Sequence, residues 1–338
     1  MSSLVVEVCR ISDVVPHPDP EVERLDLAQI KGWQCVVPRA KYHDGDLVVY
    51  IPPDSLVPEP LAQRWGVAAY LSKGRVRQVR LKGEPSFGLV VDVEDPSWTE
   101  GTDVADYFGI KKYEPPIKYL AGDAAPPHPM FASYTDIENL RNFPGVIAPG
   151  EDVVLTEKIH GTNCRVGVVE GELMAGSMEV RRKQPENLAA NTYWYPLSIP
   201  VVAALLDDLG ARHKQVILFG EVYGSRVQNL DYGHKKDVGF AAFDLMVDGK
   251  YLDYDDFAAA CTAHGVPIVP LLYRGPFSIS VTRQHASGNT TLNGGHIREG
   301  VVIRPAIERL DPKIGRVCLK YLGDQYLLAK GITDSKDV

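Results

Sequence analysis

The first hundred residues alternate short apolar-rich runs with turn signals. Runs at 4–11, 25–30, 33–37, 46–51, 76–81 and 88–93 are separated by His17-Pro-Asp-Pro, Lys31-Gly, His43-Asp-Gly-Asp and Lys82-Gly-Glu-Pro. Glycine, proline and aspartate at those points favour chain reversal, so the pattern predicts many short strands, with one helix at 58–65. Such a set suits a small barrel. Prolines then crowd the stretch from Lys111-Lys-Tyr-Glu-Pro-Pro to Ala124-Ala-Pro-Pro-His-Pro. Proline fixes φ and donates no backbone hydrogen bond, which predicts an extended linker. The expected division is a domain at 1–112, a linker at 113–130 and a second domain at 131–338.

Beyond the linker the pattern predicts a short amphipathic helix at 134–142, stopped by Phe143-Pro-Gly, and helices at 190–209 and 255–264. Strands are expected at 152–158, 164–169, 216–222, 238–247, 300–304 and 316–321. Strand pairs separated by long insertions fit an antiparallel α+β core better than a doubly wound sheet. No GxGxxG, Walker A loop or HExxH is present.

Composition narrows the setting. The chain has 338 residues, 45% hydrophobic and 24% charged, which suits two globular domains and excludes bulk disorder. No run of about 18 apolar residues occurs, and the opening MSSLVVEVCRISD lacks a basic flank, so neither membrane span nor signal peptide is expected. Cys9, Cys35, Cys164, Cys261 and Cys318 are scattered without a CxxC, as in buried thiols of a reducing cytoplasm. The net charge of -8 excludes coating of nucleic acid by bulk charge and leaves room for a local basic groove. Two such regions stand out. Lys73, Arg75, Arg77, Arg80 and Lys82 form one stripe, although its alternation shifts parity at Gln78. Asn191-Thr-Tyr-Trp-Tyr-Pro follows a basic cluster and could meet a base or simply start a helix packed on the core. The histidines show no metal-ligand spacing.

The most informative segment is Thr156-Glu-Lys-Ile-His-Gly-Thr-Asn163. Lys158 closes an apolar run and precedes a tight turn, an arrangement that aims an amine into a pocket or merely ends a strand in water. A lysine near other cations, or partly desolvated, becomes a nucleophile. Four further runs each carry a charged or aromatic residue where core is expected. They are Phe219-Gly-Glu-Val-Tyr-Gly224, Gly239-Phe-Ala-Ala-Phe-Asp-Leu245, Arg298-Glu-Gly-Val-Val-Ile-Arg-Pro305 and Arg316-Val-Cys-Leu-Lys-Tyr321. Taken singly, Glu221 or Glu299 could face solvent and Phe243 could be core.

In this order the five motifs resemble the covalent nucleotidyltransferases, the ATP-dependent ligases and capping enzymes, over about residues 130–330. Lys-x-His-Gly-Thr-Asn, with His160 where DNA ligases usually have aspartate, resembles the RNA ligase 2 branch. The stretch HPDPEVERLDLAQIKGWQCVV resembles the opening of OB-fold tRNA-binding domains, and an OB domain before the catalytic one is similar to the RNA ligase 5 type. The resemblance implies an α+β protein: an N-terminal OB-fold β-barrel, then an antiparallel-sheet nucleotidyltransferase (ATP-grasp-like ligase) domain. It implies an ATP-dependent RNA ligase sealing 3′-hydroxyl/5′-phosphate breaks, as duplex nicks, through lysyl-AMP and RNA-adenylate.

By the same resemblance Lys158 is the nucleophile. Glu157, His160, Gly161, Asn163, Glu221, Phe243, Glu299, Arg304 and Lys320 bind ATP or AMP, with Phe243 stacked on adenine and Phe240 in the core. Glu299 and Asn163 hold Mg2+ or Mn2+ through water. Two departures are visible. Leu322 stands where phage-type enzymes have a second lysine, which leaves Arg304 or Arg316 to supply the cation. The arginine after the first motif is replaced by Arg181 or Arg182, candidates for the triphosphate or nick phosphate. The expected partner is RNA, with no membrane, and the expected state a cytoplasmic monomer. The rival readings are a DNA ligase or capping-type enzyme, disfavoured by His160 and the few residues after Lys330, and a noncatalytic RNA-binding clamp.

Overall fold

The computed structural model describes residues 4–114 and 122–329. The proline-rich stretch expected as a linker therefore lies partly outside the described residues, at 115–121. Described residues group into two units: 4–114 with 138–145 and 327–329, and 122–137 with 146–326.

The main part of the first unit is built on the strands β1 (Glu7–Pro16), β2 (Leu25–Ile30), β3 (Trp33–Pro38), β4 (Leu47–Ile51), β5 (Ser55–Leu56), β6 (Gln78–Leu81), β7 (Glu84–Phe87), β8 (Leu89–Asp92) and β9 (Lys111–Lys112). One five-stranded sheet runs β3-β2-β1-β4-β8, with β5-β9 and β6-β7 as two-stranded partners. β1 serves both neighbours because it is long and shifts register between Ile11 and Asp13, the bend a barrel strand needs. Burial alternates along β3, with Trp33, Cys35 and Val37 inside, as period two requires. Helix α1 (Glu59–Arg64), with proline in its first turn, and helix α2 (Ala105–Phe108) send Ala62 and Phe108 into a core with Val8, Val49, Ile51 and Val91. Of the basic stripe, Arg75 turns inward to Asp54 (2.6 Å) under the ring of Tyr113, while Arg77 and Arg80 stay exposed.

Residues 138–145 also belong to this unit. The helix expected at 134–142 does not form. Glu138–Asn139 is a short strand (β10), and Asn139 Oδ1 accepts from the Arg141 backbone N–H (3.1 Å). Such local side-chain bonding competes with a helix, and four consecutive buried residues, 138–141, have no exposed face to offer one.

The second unit carries two large antiparallel sheets and a two-stranded one, β20 (Leu310–Asp311) with β21 (Gly315–Arg316). One runs β22-β19-β11-β18, from β22 (Leu319–Leu322), β19 (Gly300–Pro305), β11 (Asp152–Lys158) and β18 (Leu271–Pro276). The other runs β14-β13-β12-β15-β16-β17, from β14 (Arg181–Arg182), β13 (Glu172–Ser177), β12 (Thr162–Val169), β15 (Gln215–Tyr223), β16 (Gly239–Val247) and β17 (Lys250–Tyr251). Its outer edge is extended by residues 123–125, where Ala125 N–H donates to Arg181 O (2.9 Å) and Lys183 N–H to Asp123 O (2.7 Å). One face packs Val166, Leu218, Val222, Phe240 and Ala242 against Val202, Leu205 and Leu206 of helix α3 (Pro200–Gly210) and Phe257 of helix α4 (Tyr254–His264). The helix expected at 190–209 is shortened to α3, because Pro196 and Pro200 cannot donate within a continuous helix; two 3₁₀ turns precede it. Trp194 is buried and Tyr193 and Tyr195 pack on the same core, so this aromatic group builds the interior.

All five cysteines are free and buried. Burial pushes the thiols of Cys9, Cys35 and Cys261 up to about 12. No helix among the described residues is long and apolar enough to cross a membrane.

Candidate active site

Strand register decides which expected residues meet. Lys158 ends β11 opposite Gly300, Thr156 lies opposite Val302, and Val302 lies opposite Lys320. Directly opposed residues of an antiparallel ladder share a face, so Lys158 and Lys320 project to one side of this sheet. Lys320 is buried. The Lys158 ammonium is in contact with Oε1 of Glu299, whose carboxylate has no exposure at all. Oε2 of Glu299 lies 3.8 Å from His160 Nδ1, which in turn meets the Tyr326 hydroxyl at 3.0 Å. The His160 backbone N–H donates to the Tyr232 hydroxyl oxygen (2.7 Å). Burial, with Glu299 nearby, pushes the Tyr232 phenol far up, so it stays neutral.

The turn after Lys158 depends on Gly161. A Cβ there would sit 2.3 Å from Val222 O and 2.9 Å from Glu221 Cγ, so only glycine lets the turn cross β15 this closely. Past the turn, Asn163 lies opposite Glu221 on adjacent strands of the second sheet. Asn163 Oδ1 is buried without a hydrogen-bond partner among the described residues. Phe219, on the same face of β15 as Glu221, packs with Phe243, and the Phe243 ring meets Tyr134 edge-on at 4.9 Å. The bulge between Phe219 and Gly220 inserts Phe243 on this face and leaves Phe240 on the other, in the core.

Other expected residues are placed elsewhere. Glu157 points away from Lys158, as its neighbour in a strand must. Its carboxylate accepts from the Thr290 hydroxyl, the Thr291 backbone N–H (2.9 Å) and the Thr291 hydroxyl (2.7 Å), and Arg298 Nε lies 3.5 Å away. Arg304 and Arg316 do not serve as uncommitted phosphate cations. Arg304 pairs with Asp244 (3.0 Å), and Arg316 pairs with Asp244 (2.6 Å) and, through two nitrogens, with Glu308. The Tyr134 hydroxyl donates to the same Asp244 (2.9 Å). Arg182 is buried against Asp123 (2.6 Å), with Tyr193 beside it, and Arg181 pairs with the exposed Glu172. Asp244, Thr290, Thr291, Arg298, Tyr232 and Tyr326 are missed by motif reading; only Arg298 and Asp244 carried a signal, as charges flanking residues already singled out.

These elements define a two-domain α+β protein, an OB-type barrel sheet with a two-sheet unit that gathers a strand-end lysine, two carboxylates and an asparagine. The chain belongs to the RNA ligase family: that family's model matches residues 151–322, just over half of it. An OB-fold domain model matches residues 5–93. Among solved structures, the Naegleria gruberi RNA ligase with PPi is similar at 23% identity and TM-score 0.77, covering 96% of this chain and 98% of that one. A lysine-to-alanine mutant of it with ATP and Mn has the same identity, coverage and TM-score. A glutamate-to-alanine mutant with AMP and Mn matches at 23% identity and TM-score 0.78, with the same coverage. These likenesses establish the shared fold. No curated protein matches the chain.

Proposed function

We propose that this RNA ligase is ATP-dependent and joins a 3′-hydroxyl to a 5′-phosphate, in nicks held by a complementary strand. The observation that carries the reading is the Lys158 amine held at a strand end against the fully buried Glu299. Lys158 must lose an ammonium proton before it attacks, and the Glu299 carboxylate in contact with it is an acceptor. The Nζ–Pα bond then forms, the bond from Pα to the bridging oxygen breaks, and pyrophosphate leaves. AMP held on Lys158 passes to the RNA 5′-phosphate, restoring the amine. The 3′-hydroxyl finally attacks that phosphorus and releases AMP. Phosphoryl transfer depends on alignment and charge neutralisation, which suits Lys320 on the same sheet face as Lys158.

Phe243 offers the adenine a ring beside Glu221, and Glu221 can accept from a ribose hydroxyl. His160 and Gly161 hold the turn that sets Lys158 beside Asn163. Among the described residues no three of histidine, cysteine, aspartate or glutamate form a ready metal cluster. The oxygens of Glu299 and the unpartnered Asn163 fit magnesium or manganese, which take few protein ligands and keep water. Glu299 and Asn163 would hold such an ion through water, and when bound it neutralises phosphate charge. The Naegleria gruberi fold relative has been captured with ATP and Mn, with AMP and Mn, and with PPi, which are the substrate, transferred group and product this reading requires. A cytoplasmic, monomeric enzyme completes the proposal.

Incubation with α-labelled ATP and Mg2+ or Mn2+, followed by denaturing electrophoresis, tests it. Wild type should retain label and Lys158→Ala should lose it by at least a thousandfold. Label that persists on Lys158→Ala removes the nucleophile assignment.

A further inference from the structure

The ligase unit contains a second basic site, apart from the residues gathered around Lys158. A cavity of about 420 Å³ lies between residues 125–133 and the sheet residues Arg165, Glu179 and Arg181; Lys158, Asn163, Glu221, Glu299 and Lys320 do not line it. Arg165 is only 3% exposed. One of its terminal nitrogens donates to Phe131 O (2.7 Å) and Ser133 Oγ (3.2 Å), and its guanidinium lies 4.5 Å from the centre of the Phe131 ring. Its Nε is buried with no partner among the described residues.

Five other buried arginines in the protein have a carboxylate: Arg75 has Asp54, Arg182 has Asp123, Arg298 has Glu157, Arg304 has Asp244, and Arg316 has Asp244 with Glu308. No carboxylate among the described residues pairs with Arg165, and burial pulls its guanidinium down to about 10. A buried cation without a counter-charge is costly, and a fold that keeps one beside a cavity has room for an anion to come and go. The planar fork of arginine matches phosphate oxygens. Arg181, on the same cavity, is paired among the described residues with a carboxylate that is 60% exposed, a contact a phosphate can replace. Glu179 is also on the lining, but exposed and screened by water.

We propose that this cavity is a phosphate site for the RNA strand, with Arg165 as its buried anchor and Arg181 at its rim. The assignment rests on the RNA ligase reading and deepens it. RNA is favoured over ATP as the source of the phosphate because the cavity shares no lining residue with the Lys158 side.

Ser133→Asp provides the decisive variant, because it places a permanent carboxylate beside Arg165. Arg165→Met removes the charge at similar volume. Three measurements are made on the full chain: melting temperature, sealing of a pre-adenylylated nicked RNA duplex against self-adenylylation, and anisotropy of a labelled nicked duplex across a salt series. Ser133→Asp should melt higher than wild type, since it neutralises a buried cation. In both variants sealing should fall at least tenfold further than self-adenylylation. The slope of log affinity against log salt should become shallower by about one. Equal losses in the two steps would overturn the proposal and give the phosphate to ATP. Unchanged sealing with an unchanged slope would overturn it and leave Arg165 a packing residue. If wild type takes no label from ATP, the adenylylation reading fails, while the salt slope still decides the cavity.

Discussion

Asp244 and Glu299 are both carboxylates with no exposed surface in the same unit, but their surroundings are built for opposite ends. Asp244 accepts from Arg316, Tyr134 and the Leu245 backbone N–H and lies beside Arg304. Its arginine partners are packed against the rings of Tyr251, Tyr254 and Phe257. Burial alone would pull the Arg316 guanidinium down, and Tyr134, Asp244 and Glu308 reverse that and hold it charged. Glu299 instead meets the end of a flexible side chain, Lys158, at the rim of a strand, with His160 3.8 Å from its other oxygen. The contrast separates a charge that fixes the fold from a charge kept beside a group that must react. Burial by itself tells the two apart no better than sequence does; the mobility of the partner does.

The sharpest way to break this comparison is to remove each carboxylate. Asp244→Ala leaves two buried guanidinium groups to share Glu308 as counter-charge and should cost about 3–5 kcal/mol, measured as a lower denaturation midpoint. Glu299→Ala should cost far less stability, because the Lys158 side chain can turn toward water, and should lose adenylylation. Equal destabilisation by the two changes would show that Glu299, like Asp244, serves mainly to hold the fold.

The same contrast explains what can be read from the residue pattern. Strands and turns of the barrel are local, written in period-two burial and in Gly/Pro signals, and most match the observed ranges within a few residues. Lys158, Glu221, Glu299 and Lys320 are conspicuous because a charge inside an apolar run has few places to go. That signal cannot say whether the charge faces a ligand or a partner from another part of the chain. Arg304 and Arg316 give it as strongly as Lys320, and both are absorbed by Asp244. The helix expected at 134–142 fails for a related reason. Its apolar spacing is helical, but Asn139 bonds its own neighbour's backbone, a preference that periodicity does not register. Arg165 is invisible in the pattern because its significance lies in the missing carboxylate.

Phe240 and Phe243 sharpen the comparison on the second sheet, where a bulge sends two phenylalanines to opposite faces. Phe240 fills the space over Gly220, whose Cβ would lie 2.3 Å from its ring. Phe240→Ala should cost about 3 kcal/mol of stability with the affinity for ATP little changed. Phe243 is half-buried, so Phe243→Ala should cost less stability and weaken ATP binding about tenfold, the range of a lost aromatic stack on a base. Titration of the two variants with ATP, alongside their melting curves, checks the split; the base platform is misassigned if Phe243→Ala binds ATP like wild type.

The smallest effect belongs to a pair with the geometry of the Asp244 cluster but not its burial. Glu151 accepts two bonds from Arg309, at 2.7 and 2.9 Å, and one from the Ala148 backbone N–H at 3.1 Å. The Arg309 hydrogen bond holds the Glu151 carboxyl below its ordinary value of 4.5. A carboxyl with a lowered folded-state pKa binds its proton less readily when folded than unfolded. Its contribution is therefore complete above the ordinary range and fades as pH falls through the folded-state value. Both side chains are partly exposed, so water and salt screen the pair, and its contribution should be below about 1 kcal/mol. Glu151→Gln should lower stability slightly at pH 7, and the gap to wild type should close as the pH is brought well below 4.5. A gap that persists in acid would mean that the hydrogen bonds, which glutamine partly keeps, outweigh the charge, and that ion pairing stabilises this unit only where water is excluded.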